Sequence, residues 1–211
     1  MNTQKIAKTS KTSVPLERIG FLGLGIMGSA MAANLMRAGF QVSGFDPSAK
    51  ACQQFKAAGG KPCRNPEELV ESVQVVITSL PNSAALKQSA EILASSGRKG
   101  LLVIETSTLD HRDKEAAREI AAKSGVVLLD CPLSGTGAQA KRKDLTVYAS
   151  GSKADIKRLA PVFEGFSKAH FDLGAFGNGM KMKLMANLLV AIHNVSTAEA
   201  LLLGQRWGIS P

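Results

Sequence analysis

The sequence predicts an α/β fold, in which a doubly wound and mostly parallel sheet is followed by one long helix. Short apolar runs alternate with helix-forming segments from residue 18 to residue 176. Such runs are typical of strands that are buried on both faces of a parallel sheet. A helix-forming segment then covers residues 178–204, and at about 1.5 Å per residue it would span about 40 Å. That length is too great for the sheet domain alone.

The third observation behind this prediction is the order of elements near the start of the sheet. Residues 19–22 are predicted to form a buried strand, and residues 29–37 an amphipathic helix with Gly39 at its C-cap. Residues 41–45 are predicted to form a second strand, which ends on Asp46. This order of strand, glycine turn, helix, strand and acid is the fingerprint of a Rossmann-type, dinucleotide-binding domain.

The glycines between the first strand and the helix are spaced as G-x-G-x-x-G. Gly23 permits the tight turn, Gly25 lets the backbone approach a pyrophosphate, and Gly28 lets the helix lie close to the strand. The helix N-terminus then offers free N–H groups to the phosphates. The cofactor-binding residues predicted in this turn are Gly23, Leu24, Gly25, Ile26, Met27 and Gly28. The alternative is a glycine-rich turn that only packs the helix on the strand.

Asp46, at the end of the second strand, indicates which dinucleotide is bound. A carboxylate at this position accepts hydrogen bonds from the adenosine ribose hydroxyls, and it would repel a 2′-phosphate. No Arg follows it, because the next residues are Pro47, Ser48 and Ala49. The sequence therefore favours NAD over NADP as cofactor. The alternative for Asp46 is a helix cap or a turn former.

Strands and helices continue to alternate after Asp46. A helix over residues 48–57 ends at Gly59 and Gly60, and the next helix has Asn65 as N-cap and Pro66 at N1. Further strands are predicted over residues 74–80, 101–104, 126–129, 144–149 and 168–171, the last as a short edge strand. Further helices are predicted over residues 83–94, 110–123 and 153–164, with Asp110 as a cap.

Three loops that follow strands are candidate ligand loops, because ligands bind at the C-terminal ends of parallel strands. They are Leu80-Pro81-Asn82, Thr106-Ser107-Thr108, and residues 130–140. The third loop contains a hydroxyl and two glycines in Ser134-Gly135-Thr136-Gly137, so it could present several backbone N–H groups to an anion. The alternative for this loop is an ordinary connection.

The long C-terminal helix carries a lysine beside an apolar stretch. Residues 184–192 are apolar almost all round, which requires more than one covering partner. Lys183 and Asn187 are four residues apart and share a face. The lysine either snorkels to solvent or is placed for chemistry, and spacing alone leaves both readings open.

Composition limits the class of protein. The chain has 211 residues, a formal net charge of +9 and 5% aromatic residues. Residues 1–17 form a basic segment that we expect to be a disordered tail. The positive charge would attract an anionic substrate and cofactor. Nucleic acid is not the expected partner, because no reading helix or stacking platform is visible.

The cysteines, the histidines and the apolar runs bear on the compartment of the protein and on metal and membrane binding. Cys52, Cys63 and Cys131 form no C-x-x-C and leave an odd count, which fits reduced thiols in a cytoplasm. The histidines have no metal-ligand spacing, so no metal site is predicted. No uninterrupted run reaches the roughly 18 apolar residues of a membrane span, so no membrane partner is expected. The N-terminal segment leaves a mitochondrial presequence, and hence the matrix, as a weaker alternative.

Four motifs in order resemble those of the β-hydroxyacid dehydrogenase family, over essentially residues 19–211. Residues 21–28 resemble its cofactor signature, and Glu105-Thr106-Ser107-Thr108 resembles its D-x-S-T loop. Residues 130–136 are similar to its substrate loop D-x-P-V-S-G-G. Residues 177–187 match its G-x-G-x-x-x-K-x-x-x-N pattern, with Lys183 and Asn187 at the last two defined positions.

The resemblance implies an oxidoreductase that transfers a hydride between NAD and a small 3-hydroxy acid. Lys183 would be the catalytic general acid and base, and Asn187 would orient the substrate. Ser134, Gly135 and Thr136 would hold the substrate carboxylate. Further cofactor contacts would come from Leu80, Pro81, Asn82 and Thr108.

The sequence departs from the family pattern at Glu105, where Asp is usual, and at Thr136, where a second glycine is usual. The family also continues into an all-helical domain that helps to close the site and to form the dimer. We therefore expect residues 177–211 to be the interdomain helix with a truncated start of that domain, and a homo-oligomer through this helix. The alternative function is a non-catalytic NAD-binding module. Phosphogluconate-type decarboxylation with NADP is disfavoured by Asp46.

Overall fold

A six-stranded parallel sheet forms the centre of the computed structural model, which describes residues 16–210. The strands are β1 (Arg18–Leu22), β2 (Gln41–Phe45), β3 (Lys61–Pro62), β4 (Val75–Thr78), β5 (Leu102–Glu105) and β6 (Val127–Asp130). Their order in the sheet is β3-β2-β1-β4-β5-β6, and every pairing is parallel. The chain order reverses between β1 and β4, and a ligand crevice is expected outside the strand ends at such a reversal.

Five helices connect these strands, and their caps follow from the sequence. They are α1 (Ile26–Arg37), α2 (Ala49–Ala57), α3 (Pro66–Ser72), α4 (Ser83–Ser95) and α5 (His111–Ala122). The N-caps predicted at Asn65 and Asp110 are confirmed, because each side chain accepts a hydrogen bond from a first-turn N–H group. Gly39 has a φ of 93° and lies one residue beyond the C-cap Ala38.

Helix α1 begins three residues before the predicted start at Ser29, so that prediction is wrong. Its N-cap is Gly25, which has no side chain to cap the first turn. The helix therefore begins inside the glycine turn itself. Ile26, Met27 and Gly28 are predicted from the sequence to lie in the turn, whereas in the structure their backbone is already part of the helix.

A smaller, three-stranded sheet follows the first one. It consists of β7 (Leu133–Ser134), β8 (Thr146–Ala149) and β9 (Ala169–Asp172), with helices α6 (Gly137–Lys141) and α7 (Lys153–Phe166). The expectation that the last two strands extend the main sheet is wrong, and so is the reading of residues 130–140 as one open loop. An isolated bridge between Asp130 and Ser150 joins the two sheets.

Two apolar clusters cover the two faces of the main sheet. Ile19, Phe21 and Ile77 belong to one cluster, whereas Leu22 and Val76 belong to the other. Side chains alternate between the faces of a strand, so a strand covered on both sides needs a continuous apolar run. Helices α1, α2 and α7 contribute to the first cluster, and helices α3, α4 and α5 contribute to the second.

The last element is α8 (Asn178–Arg206), a single helix of 29 residues. Only Gly179 and Met180 of this helix are buried, and Leu188 and Leu189 are 62% and 56% exposed. Its length and mean hydropathy are sufficient for a membrane span, although polar residues interrupt its apolar runs. The same properties occur in helices that pack against protein, so the absence of a membrane partner stays a prediction. The basic segment, residues 1–17, lies outside the described residues apart from Leu16 and Glu17.

Candidate functional site

A cavity of about 730 Å³ lies at the C-terminal ends of β1, β2 and β4, where the strand order reverses. This volume is within the range of small-molecule and cofactor sites. The residues that line it come from the glycine turn, the end of β2, and the segments around α3 and α4. They are Leu22, Gly23, Gly25, Ile26, Met27, Phe45, Asp46, Pro47, Pro66, Glu67, Ser79, Leu80, Pro81, Ala85, Gln88, Ser89 and Ile92.

The three motif glycines differ in what a side chain would meet. A Cβ atom at Gly23, where φ is 97°, would collide with the carbonyl oxygen of Ser79. A Cβ atom at Gly28 would collide with the carbonyl oxygen of Gly23. A Cβ atom at Gly25 would meet no protein atom within 4 Å. Packing therefore explains two of the glycines, and the third keeps space open beside the cavity.

The N-terminus of α1 faces this cavity through Gly25, Ile26 and Met27. Ile26, the first residue of the helix, is 74% exposed. A helix N-terminus with free N–H groups and no capping side chain is a binding site for anions such as phosphates. The empty space that a Cβ atom of Gly25 would occupy lies at this helix N-terminus. The residues at the start of α1 therefore fit the pyrophosphate of a dinucleotide.

The Asp46 carboxylate is held at the other side of the same cavity. Its Oδ2 accepts a hydrogen bond from the Leu24 N–H at 2.8 Å, and its Oδ1 accepts one from the Ser48 N–H at 2.8 Å. The second bond is the turn-forming role that the sequence left as an alternative, and the ribose-binding role of Asp46 stays a prediction. The bond to Leu24 fixes the carboxylate against the glycine turn, where a ribose would follow the pyrophosphate.

Glu67 is a second acid beside the cavity that the sequence argument did not single out. It lies in the first turn of α3, where acids are common for reasons of helix stability, so its position in the sequence carried no functional signal. No Arg or Lys is among the residues that line the cavity in the described part of the chain. The charged side chains that line the cavity there are therefore both acidic.

The residues predicted in the loops after β4 and β5 differ in their position relative to the cavity. Leu80 and Pro81 line the cavity, and the Leu80 N–H donates to Ser107 Oγ at 2.8 Å. Asn82 does not line it, because its side chain caps α4 by accepting from the Ala85 N–H at 2.9 Å. Thr108 is exposed and also lies outside the cavity lining. The cavity as described therefore supports two of these four predicted cofactor residues.

The predicted carboxylate-binding segment lies beside the glycine turn. A Cβ atom at Gly137 would come within 2.6 Å of Ile26 Cγ2, which brings the start of α6 against the start of α1. Gly135 has a φ of 132°, and a Cβ atom there would lie 2.6 Å from Leu145. Ser134 is half-buried in β7, with Gly135 exposed after it. These backbone requirements explain the glycine at position 135.

Thr136 has a structural role that its place in the motif did not reveal. It is the N-cap of α6 and forms a capping box with Gln139, whose Oε1 accepts from the Thr136 N–H at 2.9 Å. Its hydroxyl is thereby engaged with the helix. The predicted open nest of backbone N–H groups is replaced by a short strand and a capped helix.

Lys183 lies in the second turn of α8 and is half-buried, whereas Asn187 one turn further on is exposed. Burial lowers the pKa of the Lys183 amine. Within residues 16–210, the structure gives Lys183 no hydrogen bond or ion pair. A lysine with a lowered pKa and free donors is suited to proton exchange with a substrate.

The first turn of α8 is attached to the ends of β6 and β8. The Met180 N–H donates to Asp130 Oδ2 at 2.8 Å, and the Gly179 N–H donates to Ser150 Oγ at 2.9 Å. A Cβ atom at Gly179 would collide with the carbonyl oxygen of Tyr148. The helix therefore starts in direct contact with the strand ends, and Lys183 follows within one turn.

The fold and this cavity together define a nucleotide-cofactor domain of the doubly wound class. Residues 18–199 match the family model described as the NAD binding domain of 6-phosphogluconate dehydrogenase. The chain belongs to this family, and its cofactor is of the nicotinamide dinucleotide type. The chain is also similar to curated relatives that are named as dehydrogenases of hydroxy acids, as the resemblance implied.

Three relatives document the similarity. The mitochondrial 3-hydroxyisobutyrate dehydrogenase of Mus musculus is 34% identical over 209 residues, which are 97% of this chain and 62% of that protein. The L-threonate dehydrogenase of Cupriavidus necator is 36% identical over 92% of this chain and 66% of that protein. The structure of Mycobacterium tuberculosis 3-hydroxyisobutyrate dehydrogenase with L-serine matches with a TM-score of 0.89 and 33% identity, covering 93% of this chain and 67% of that one.

A more distant structure shows the fold alone. Psf3 in complex with NADP⁺ and 2-OPP matches with a TM-score of 0.82 at 22% identity, over 91% of this chain and 69% of that one. The chain spans about two thirds of the length of the curated relatives it matches.

Proposed function

We propose that this chain supplies the cofactor site and the catalytic lysine of an NAD-dependent dehydrogenase that acts on a small 3-hydroxy acid. The observation that carries the proposal is the contrast among the three motif glycines. Two of them are required by packing, whereas Gly25 is required only if a ligand approaches the backbone at that point. The half-buried Lys183 supports a catalytic role beyond binding.

The dinucleotide would be held by three features of the cavity. Its pyrophosphate would bind the N–H groups at the start of α1, from Gly25 to Gly28. Its adenosine ribose donates hydrogen bonds to the Asp46 carboxylate. Leu80 and Pro81 close the opposite wall of the cavity. NAD would be preferred over NADP, because Asp46 and Glu67 both line the cavity and would repel the additional negative charge of a 2′-phosphate.

The chemistry follows from the side chain of Lys183. A nicotinamide bound in the cavity would supply the acceptor for the hydride that leaves the alcohol carbon. The neutral amine of Lys183 accepts the hydroxyl proton, so that the alcohol becomes a semialdehyde. In the reverse direction the ammonium of Lys183 polarises the carbonyl oxygen and returns the proton. Burial lowers the pKa of Lys183, which favours exchange between its two protonation states during the reaction.

The substrate would be oriented by groups that cannot compete for this proton. Asn187 shares a helix face with Lys183 and offers an amide, which donates and accepts without titrating. The substrate carboxylate would bind the segment of Ser134, Gly135 and Thr136. Since the hydroxyl and the backbone N–H of Thr136 are both engaged in the cap of α6, carboxylate binding would rely on Ser134 and Gly135.

The second candidate function is an NAD-binding module without turnover. The observation that favours it is the exposed apolar surface of α8 beyond Lys183, because a site open to water on that side would not exclude solvent from a hydride transfer. The two candidates share the cofactor cavity and differ only in catalysis.

A paired measurement distinguishes them. Titration with NADH and with NADPH is expected to give tighter binding of NADH, and Asp46→Ala is expected to narrow that preference. Steady-state assays with 3-hydroxyisobutyrate and related 3-hydroxy acids are expected to show NAD-dependent oxidation. Equal or tighter binding of NADPH contradicts the cofactor assignment. Binding of NADH without oxidation of any 3-hydroxy acid or reduction of any semialdehyde contradicts the dehydrogenase and supports the module.

A further inference from the structure

A buried lysine with two buried acids lies at the C-terminal ends of β5 and β6. Lys114 of α5 is fully buried, and its Nζ lies 2.7 Å from Asp130 Oδ1 and 2.6 Å from Glu105 Oε2. The contact with Asp130 is a hydrogen bond, whereas the contact with Glu105 Oε2 is an ion pair without hydrogen-bond geometry. Glu105 and Asp130 are direct neighbours in the pairing of β5 with β6. The proposed reaction uses none of these three groups.

Asp130 connects this cluster to the start of α8. Its Oδ2 accepts from the Met180 N–H at 2.8 Å and from Ser150 Oγ at 3.1 Å. Ser150 Oγ in turn accepts from the Gly179 N–H at 2.9 Å. Two first-turn N–H groups of α8 are therefore satisfied by side chains that lie about thirty and fifty residues earlier in the chain. The N-cap of α8 is Gly177, which has no side chain for this task.

Helix α5 contacts the segment before α8 along one face. His111, Lys114 and Arg118 are spaced i, i+3 and i+7, so they lie on the same side of the helix. The Arg118 guanidinium lies 4.8 Å from the centre of the Phe176 ring. The ring of His111 lies where a Cβ atom of Gly177 would be. One face of α5 thus contacts both the buried acids, Glu105 and Asp130, and the two residues that precede α8, Phe176 and Gly177.

The charge of Lys114 gives this arrangement its rigidity. Burial by itself lowers the pKa of Lys114, but Glu105 and Asp130 outweigh it and hold the pKa above its usual value. The lysine therefore stays protonated and fixes the Asp130 carboxylate through one oxygen, leaving the other for α8. Buried ion pairs are poor sources of stability, because desolvation offsets their attraction. Here the charged hydrogen bonds fix the orientation of the Asp130 carboxylate, because such bonds need a defined geometry.

We propose that Lys114, Asp130 and Ser150 are positioning residues that fix the origin and direction of α8 and so the position of Lys183. The geometric reason is the helix repeat, because Gly179 and Met180 are four and three residues before Lys183 and lie on the same face. A shift of the first turn would carry the lysine with it. The inference rests on the proposed role of Lys183.

Ser150→Ala is the sharpest test, because it removes one hydroxyl and leaves the ion pair intact. The amide hydrogens of Gly179 and Met180 are expected to exchange about 10-fold faster or more, the effect of losing a buried hydrogen bond near a charged group. Turnover of the 3-hydroxy acid is expected to fall in kcat, with NADH affinity unchanged. The matched control is Ser167→Ala, which removes another buried serine hydroxyl that bonds only to the Phe163 carbonyl oxygen of α7.

A second variant keeps the test independent of one substitution. Asp130→Asn retains the shape of the side chain and removes the charge that Lys114 orients, so faster exchange at Gly179 and Met180 is expected again. Unchanged exchange in both variants, or an equal change in Ser167→Ala, overturns the positioning role. A lower kcat together with weaker NADH binding also overturns it, because the domain as a whole is then altered. If exchange responds as expected but the wild type shows no turnover, the dehydrogenase proposal fails and the attachment of α8 stands.

Discussion

At the scale of single residues, the atoms that an added side chain would contact show why a position requires glycine. The motif spacing alone does not separate a glycine that packs from a glycine that admits a ligand. The backbone around Gly23 and Gly28 leaves no room for a Cβ atom, whereas Gly25 is open. Gly25 also has a φ of −66°, so its backbone conformation is available to any residue. The absence of a side chain at Gly25 therefore matters only for the space in the cavity.

Gly25→Ala is predicted to weaken NADH binding about 10-fold or more, because a methyl group would occupy the path of the pyrophosphate. Its thermal midpoint is expected to stay the same or to rise slightly, since alanine restricts the unfolded chain. Gly28→Ala is expected to do the opposite and to destabilise the fold by about 1–3 kcal/mol through the clash with the Gly23 carbonyl. Fluorescence titration and thermal unfolding of both variants check this. Unimpaired NADH binding by Gly25→Ala would show that the turn only packs.

Lys183 carries the pH dependence predicted for the reaction. Because burial lowers its pKa, the amine loses its proton at a lower pH than an ordinary lysine. Oxidation of the alcohol needs the neutral amine, so kcat/KM for oxidation should rise with pH through that lowered pKa. Reduction of the semialdehyde needs the ammonium, so its rate should fall through the same pKa.

Lys183→Ala is predicted to reduce turnover by about 10²-fold or more and to remove this pH dependence. Lys183→Arg should also fail, because a guanidinium keeps its proton throughout the working range. NADH affinity is the control and should change little in either variant, since the glycine turn and Asp46 are untouched. Near wild-type turnover in Lys183→Ala is the outcome that would exclude the proposed mechanism.

At the scale of elements, α8 contrasts with every other helix of the described chain. The other long helices bury one face against the sheet, whereas α8 buries only Gly179 and Met180 of its first turn. The exposed apolar side chains of its remaining turns include Leu184, Met185, Leu188, Leu189, Val190, Ile192, Val195, Leu201, Leu202 and Leu203. A continuous apolar surface of this size marks an interaction site.

The chain is predicted to self-associate through α8, because burial of this surface removes apolar area from water. Sedimentation velocity over a range of concentrations should show species larger than a monomer. The double variant Leu188→Gln/Leu189→Gln is expected to shift the distribution toward monomer. The control Phe171→Gln alters an apolar residue of β9 that is 54% exposed, and it should leave the distribution unchanged. A monomer at all concentrations for the wild type would contradict the prediction.

The elements also show why some local predictions failed. The start of α1 was placed too late because Gly25 offers no cap signal, and the helix begins where the backbone turns. Residues 130–140 were read as a loop because β7 and α6 are too short to show periodicity. Thr136 followed three residues later by Gln139 is a capping-box pattern, so the sequence does contain a signal for the start of α6.

At the scale of the whole molecule, the main sheet and the glycine turn follow from local patterns. Strands buried on both faces must be apolar throughout, and the reversal of strand order is the usual result of alternating strands and helices. The second sheet could not be predicted, because whether β8 joins one sheet or another depends on long-range pairing that leaves no periodic signal. The cluster of Lys114, Glu105 and Asp130 was missed for the same reason, since its members lie on three elements.

The attachment of α8 by side chains from β6 and β8 also has a consequence for the order of folding. The acceptors for the Met180 and Gly179 amides exist only after those strands have formed, so the long helix docks onto a domain that is already assembled. Closing contacts between distant parts of a chain is slow compared with helix growth, which is local. The sheet domain and α8 should therefore behave as separate cooperative units, with α8 the first to detach when the protein is heated.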